Sequence, residues 1–179
     1  MNADERSEQL EQLFRQTFRR VMAYCLRRTG EAAAHDAVAE VYVVAWRRRR
    51  HLPADNDAAM LWLLGIARRV LANQARSQRR WTRLLRRVAE QRDPPCTSPP
   101  DDDGDELAAA LDKMSAPDRE LLRLAYWDDL SRHEIATVLG ISVGAVDTRL
   151  HRARQRLRER LAASSSHPTA TEEKDHVER

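Results

Sequence analysis

Apolar residues recur at three- and four-residue steps along most of the chain. Leu10, Leu13, Phe14, Phe18, Val21 and Cys25 trace the inward face of a first helix, which Gly30 ends. Ala34, Ala37, Val38, Val41, Val44 and Ala45 trace a second helix that closes in the run WRRRRHLP. There Pro53 forbids simple continuation, and PADND reads as a loop. A third helix begins near Asp57 and turns Leu61, Trp62, Leu64, Ile66, Val70 and Leu71 inward, before a strongly basic far end, RSQRRWTRLLRR. Three helices of this length can bury a core against one another.

The period then stops. DPPCTSPPDDDGDE combines four prolines, Ser, Thr, Gly and a run of acids, and reads as an extended linker. Short helices follow. Leu107, Leu111 and Met114 make one stripe, and Leu121, Leu122, Leu124 and Ala125 make the next, with Ser115 as its cap and Pro117 in its first turn. Ser131 and Glu134 form a capping box before Ile135, Val138 and Leu139. Gly140 breaks that helix, Ile141 fills the corner, and Ser142 caps a last helix with Val146 and Leu150 inward. The expected fold is therefore all-α, two small helical domains joined by an acidic Pro-rich linker. The predicted boundaries are 5–90, a linker over 91–106, 107–162, and a disordered tail over 163–179.

Composition agrees with this and adds a charge pattern. Five glycines in 179 residues and the abundance of Ala, Leu, Arg and Glu favour helix. The formal net charge of +3 conceals segregation: residues 47–92 hold thirteen arginines against Asp55, Asp57 and Glu90, and residues 93–112 hold seven acids and no base. Such blocks suggest a polyanion-binding surface beside an acidic tether. Only Lys113 and Lys174 are lysines, so arginine-rich codon usage explains Arg over Lys but not the clustering. Cys25 and Cys96 are too few for a disulfide framework or a zinc site. The polar start MNADERSEQLEQ is no secretory signal, and the apolar run 58–67 is too short to span a bilayer, which predicts a cytoplasmic protein.

Residues 129–157, DLSRHEIATVLGISVGAVDTRLHRARQRL, carry the clearest chemistry. Two short helices joined at a glycine have the layout of a helix-turn-helix, with small Ala136 where the helices approach. Thr148, Arg149 and Arg152 are left on the outer face of the second helix, where guanidinium groups suit guanine and the capped N-terminus, at Ser142, suits phosphate. A helical hairpin with a solvated basic face is the alternative. No nucleophile–base pair, metal cluster or Gly-rich phosphate loop is present, so an enzyme is not expected. His35, Asp36 and Glu40 lack a fourth ligand and make a poor metal site.

The segment ALDKMSAPDRELLRLAYWDDLSRHEIATVLGISVGAVDTRLHRARQRLRERL resembles region four of the extracytoplasmic-function (ECF) subfamily of sigma-70-type RNA polymerase sigma factors. HDAVAEVYVVAWR is similar to that family's polymerase-binding helix, and WLLGIARRVLANQARSQRR to its Trp-Leu-x-x-Ile-Ala-Arg-Asn helix. The resemblance covers residues 10–161 apart from the linker, with both segments in the family's order.

It implies a factor that binds core RNA polymerase and promoter DNA, needs no cofactor or small-molecule substrate, does not insert into membrane, and has an anti-sigma partner. Asp36 and Glu40 would face the clamp coiled coil of the polymerase's largest subunit; plain solvation is the alternative for each. The loop HLPADND would capture a flipped base of the −10 element, with Asn56 as reader or, alternatively, as helix cap. Arg68, Arg69, Asn73, Arg76 and Arg79 would meet −10 DNA, chiefly its phosphates. Trp62 is expected in the core rather than between bases. Ser142, Thr148, Arg149 and Arg152 would read the −35 element. Two residues depart from the family pattern. Asp147 stands where Lys or Arg is common; it repels phosphate but can accept from a cytosine amino group. Arg69 stands where Asn is frequent. A stand-alone helix-turn-helix regulator and a helical protein–protein adaptor are the competing readings of the residues.

Overall fold

The computed structural model describes residues 3–89 and 106–165, and within them every regular element is helical. The linker, apart from Glu106, lies outside the described residues, as do Cys96 and positions 166–179. The first half contains α1 (Ala3–Leu26), α2 (Glu31–Arg47), a 3-10 turn (Arg49–His51) and α3 (Asn56–Ala89). The second contains α4 (Glu106–Asp112), α5 (Ala116–Tyr126), α6 (Arg132–Leu139) and α7 (Val143–Ser165).

α1, α2 and α3 pack mutually. α2 contributes the small residues Ala34, Ala37 and Ala45 with Val38 and Val41, all buried, which lets its neighbours approach closely. Leu10, Leu13, Val21 and Cys25 of α1 meet Leu63, Leu64, Ile66 and Val70 of α3 in the same core. Phe14 and Phe18 are a correction to the sequence reading. They are 41% and 36% exposed, not inward, and form an aromatic edge with Tyr42: Phe14 stands 5.3 Å from Phe18 and 4.6 Å from Tyr42, centroid to centroid. Trp62 is half-buried against the core, as expected. Burial pushes the Cys25 thiol up to about 11, with Arg28 partly opposing, so it stays protonated and unreactive at neutral pH. Beyond Val70, α3 runs on as a projecting helix with Trp81, Leu84 and Leu85 exposed.

In the second half, local signals produce the turns. Ser115 accepts from the Asp118 amide at 3.3 Å. The Ser131 amide donates to Glu134 at 2.7 Å while Ser131 Oγ accepts from the Glu134 amide at 3.3 Å, completing the capping box. Those bonds, with Arg20 of α1 nearby, hold the Glu134 carboxyl below its ordinary range. Gly140 has φ +67, the left-handed cap that stops α6, and Ser142 Oγ accepts from the Ala145 amide at 3.2 Å to start α7. Leu122, Leu124, Ile135, Val146, Leu150 and Ala153 form the core between α5, α6 and α7.

The two halves do not stand apart. Their buried residues form one continuous cluster, and α6 packs across α3 near Gly65, whose Cβ position lies 3.8 Å from the Val138 carbonyl oxygen. A charged clasp closes the junction. Arg28, in the turn just after α1, donates to Glu120 at 2.8 Å and to Asp128 at 2.7 Å, and Arg27 also pairs with Asp128. Tyr24, fully buried, donates to Glu120 at 2.7 Å beneath the Arg28 guanidinium, which lies 3.5 Å from its ring centroid. Burial, then the Glu120 charge, drives the Tyr24 phenol well above its usual value, so it remains a donor. Asp128 is buried, and Asp129 beside it takes a left-handed φ of +52, a conformation Asp tolerates better than most residues.

Two predictions follow from these contacts. Arg28→Ala removes the guanidinium shared by buried Asp128 and half-buried Glu120, which weakens the closed arrangement by about 3–5 kcal/mol. Parted halves let water reach those acids, so small-angle scattering should report an increased radius of gyration. Arg15→Ala, which breaks only the exposed pair with Glu11, should leave scattering unchanged. At the turn, Gly140→Ala meets no atom within 4 Å, so its cost is backbone strain alone, about 1–2 kcal/mol in urea unfolding. Gly144→Ala, also in open space but inside α7, should be neutral or stabilising by up to about 1 kcal/mol.

Candidate nucleic-acid and polymerase interface

Three surfaces collect the residues singled out from the sequence. On α2, Asp36 and Glu40 are exposed one turn apart. Glu40 accepts from Gln74 of α3 at 3.3 Å, which fixes its direction, while Asp36 faces solvent. The stripe continues through Val43 and reaches Trp46, each 48% exposed, and Arg49 lies 4.8 Å over the Trp46 ring. Val43 and Trp46 were missed in the sequence because an apolar residue inside an apolar helix carries no sign of facing out. A charged stripe with an exposed apolar end suits a partner protein better than plain solvation.

The second surface is the loop before α3 and the outer face of that helix. Leu52 is buried and pins the loop, and Gln9 of α1 donates to the Pro53 carbonyl at 3.0 Å. Asp55, not Asn56, caps α3: its carboxylate accepts from the Ala58 amide at 2.7 Å. The capping alternative for Asn56 therefore fails, and its exposed amide stands at the helix start. Arg69, Asn73, Arg76 and Arg79 are exposed, and Arg76 donates to the Asn73 side chain. Arg68 is half-buried, with its Nε enclosed and without a hydrogen-bond partner. From Asn56 to Arg79 the array extends about 35 Å along the helix. Within that span α6 packs on α3 at Gly65, three and four residues before Arg68 and Arg69.

The third surface is the helix-turn-helix. Val146, Leu150 and Ala153 anchor α7, leaving Ser142, Thr148, Arg149 and Arg152 exposed. Ser142 and Thr148 each use their hydroxyl locally, Ser142 as cap and Thr148 donating to the Gly144 carbonyl at 2.9 Å. Arg154 stacks 5.3 Å over Tyr126, and Arg156 pairs with Asp118 at 2.6 Å, so these two arginines hold α7 to α5. Asp147 is paired with Arg132 of α6, a partner the sequence did not suggest. Packing against α3 leaves the outer face of α7 open.

Among the described residues no cluster of His, Cys, Asp or Glu suits a metal, and no helix is long and apolar enough to cross a membrane.

Comparison with known proteins accounts for both halves. Residues 13–82 match the family model for sigma-70 region 2, and residues 104–157 that for sigma-70 region 4. The ECF RNA polymerase sigma factor SigL of Mycobacterium tuberculosis is 35% identical over 145 residues, which covers 75% of this chain and 78% of SigL. Among solved structures, CnrH in complex with the cytosolic domain of CnrY superposes with a TM-score of 0.61 at 26% identity, covering 90% of this chain and 95% of that one. The sigma factor RpoE, in complex with the anti-sigma factor NepR from Bartonella quintana, gives 0.59 at 23% identity over 87% and 98%, a likeness of fold. With a region 2 body, a region 4 helix-turn-helix and a relative of this identity and coverage, the chain belongs to the ECF sigma factors of the sigma-70 family, the factors of bacterial RNA polymerase.

Proposed function

We propose that this sigma factor binds core RNA polymerase through α2 and directs it to promoters by reading two DNA elements. The first half, residues 5–90, holds the polymerase clamp through Asp36 and Glu40, with Val43 beside them. It meets the −10 element through Asn56, Arg68, Arg69, Asn73, Arg76 and Arg79. The second half, residues 107–162, reads the −35 element through Ser142, Thr148, Arg149 and Arg152. The factor supplies recognition and no chemistry of its own, and it acts in the cytoplasm, where the polymerase is. The observation that carries the reading is the presence of both surfaces in one chain: an open, capped recognition helix and, separately, an arginine face starting at an exposed Asn56. A stand-alone helix-turn-helix regulator leaves the region 2 body without a purpose. An adaptor leaves the arginine face without one. The RpoE structure of this fold is bound by the anti-sigma factor NepR, and a comparable inhibitor is proposed here.

Geometry then demands a change of shape. The two elements lie roughly 25 base pairs apart, about 85 Å of duplex at 3.4 Å per step. The longest helix, α3, measures about 50 Å, and a compact body of this size is roughly 40 Å across. Bending so short a duplex to close the gap costs several kcal/mol, up to about 10. Moreover, α6 packs on α3 at Gly65, about one turn before Arg68 and Arg69. Promoter engagement therefore requires the Arg27, Arg28, Glu120 and Asp128 clasp to open. The sixteen residues between 89 and 106 allow a separation of at most about 55 Å.

In vitro transcription with purified core polymerase on a genomic promoter library is the direct test. Transcripts sharing a −10 and a −35 motif are expected; failure to associate with core polymerase would sink the proposal. Separation of roles is also expected. Asp36→Lys combined with Val43→Asp should weaken core binding at least about 30-fold. Thr148→Ala with Arg152→Ala should leave core binding intact and remove dependence on the −35 sequence. The free factor, closed and holding each element weakly, should bind promoter DNA poorly, with affinity falling steeply as salt rises. Tight sequence-specific binding by the isolated chain would count against the opening step.

A further inference from the structure

Asp147 is an acid near the start of α7, a helix in which arginines outnumber the two acids, Asp147 and Glu159. Left alone at a DNA surface it repels phosphate. It is not alone: Arg132 Nε forms an ion pair with Asp147 Oδ1 across the turn, each side chain about half exposed. Neither residue is placed there by stability. Arg132 is the first residue of α6, where the helix dipole disfavours a cation. An exposed pair of this kind contributes little to folding and costs side-chain entropy to hold. Both positions make sense only when another charged surface arrives.

The pair also leaves chemistry unused. With Nε committed to Asp147, the two terminal amines of Arg132 remain free to donate. The second Asp147 oxygen has no hydrogen bond among the described residues. Asp147 directly follows buried Val146 and precedes Thr148, at the flank of α7 nearest the α6 N-terminus. An acceptor and a fork of donors are thus held side by side at the rim of the recognition helix. In the major groove, a cytosine amino group donates, and carboxylates accept from it. The adjacent phosphate accepts from an arginine fork.

We propose that Arg132 and Asp147 act as one unit that reads a C·G pair at the edge of the −35 element. Asp147 accepts from the cytosine N4 amino group, and Arg132 donates to the neighbouring phosphate while cancelling the charge that would keep Asp147 away. This rests on α7 being the −35 reader.

The test is transcription by holoenzyme reconstituted with the full chain, on templates randomised across the −35 element. Wild type, Asp147→Ala, Arg132→Ala and the double variant are compared, and urea unfolding checks that each remains folded. Wild type should favour cytosine at one position by about tenfold, the worth of a single mismatch. Asp147→Ala should erase that preference and leave the others. Arg132→Ala, with its acid uncompensated, should lower transcription from all templates. The double variant should recover the level of Asp147→Ala without recovering the cytosine preference, a pattern that a merely structural ion pair would not give. If wild type depends on the −35 sequence and Asp147→Ala has the same base profile, the pair is a surface ion pair and the proposal is overturned. If wild type ignores the −35 sequence altogether, the assignment of α7 falls and the pair falls with it.

Discussion

The arrangement of the molecule depends on a small neutral cluster of charge shut between its halves. Arg28 is 6% exposed and Asp128 3%, so both have lost most of their water, and Glu120 is little better hydrated. Removing ions from water costs several kcal/mol each even after relaxation, and their attraction repays this only with good geometry. Here the geometry is good. Two guanidinium groups face two carboxylates, and the Tyr24 hydroxyl fills a remaining acceptor site on Glu120. Such a cluster is specific without being strong. Pairs made with the wrong register leave an orphan charge, whereas full separation returns every member to water. An apolar seam of the same area would have no comparable exit.

That balance explains why the junction mixes two kinds of contact. Tyr24 and the α3–α6 packing supply burial, which is indifferent to register, and the charges fix the register. Because the cluster is buried it is weakly screened, so ordinary salt does little to open it. A competitor must offer the arginines or the acids better partners, or offer the flanking surfaces a larger area. On the proposed reading, core polymerase and promoter DNA would do so at different ends of the molecule, which is how a weak internal contact can yield to two external ones.

Much of the second half was legible in the sequence because its signals are local. The Ser131–Glu134 box, Gly140 and Ser142 each satisfy backbone groups within four residues, and each occurs where the pattern places it. The helix faces were legible as well, with one systematic error. A three-four repeat identifies a face but not where burial ends along its edge, so it puts Phe14 and Phe18 inward although both stand at the exposed edge, Phe14 against Tyr42 of α2. Non-local partners were not legible. Nothing near Tyr24 announces Glu120, 96 residues away, and nothing near Asp147 announces Arg132. Asn56 shows the same limit on a smaller scale, since Asp55 takes the capping position by a rotamer choice that composition does not reveal.

The closure of the halves is the largest feature the sequence concealed, and it changes what the charges mean. An acidic and a basic segment in one chain read naturally as a tether beside a binding surface. The contacts that matter use neither block: Arg27, Arg28, Glu120 and Asp128 all lie outside both. The arginine-rich face of α3 is exposed over most of its length, and Arg68 near its start is half-buried, its Nε enclosed without a hydrogen-bond partner. On the proposed reading, parting of the clasp would free α7 to travel toward a distant element while the arginine face of α3 meets the −10 DNA. On that reading one rigid-body opening would serve both readers, which two independent switches would not guarantee.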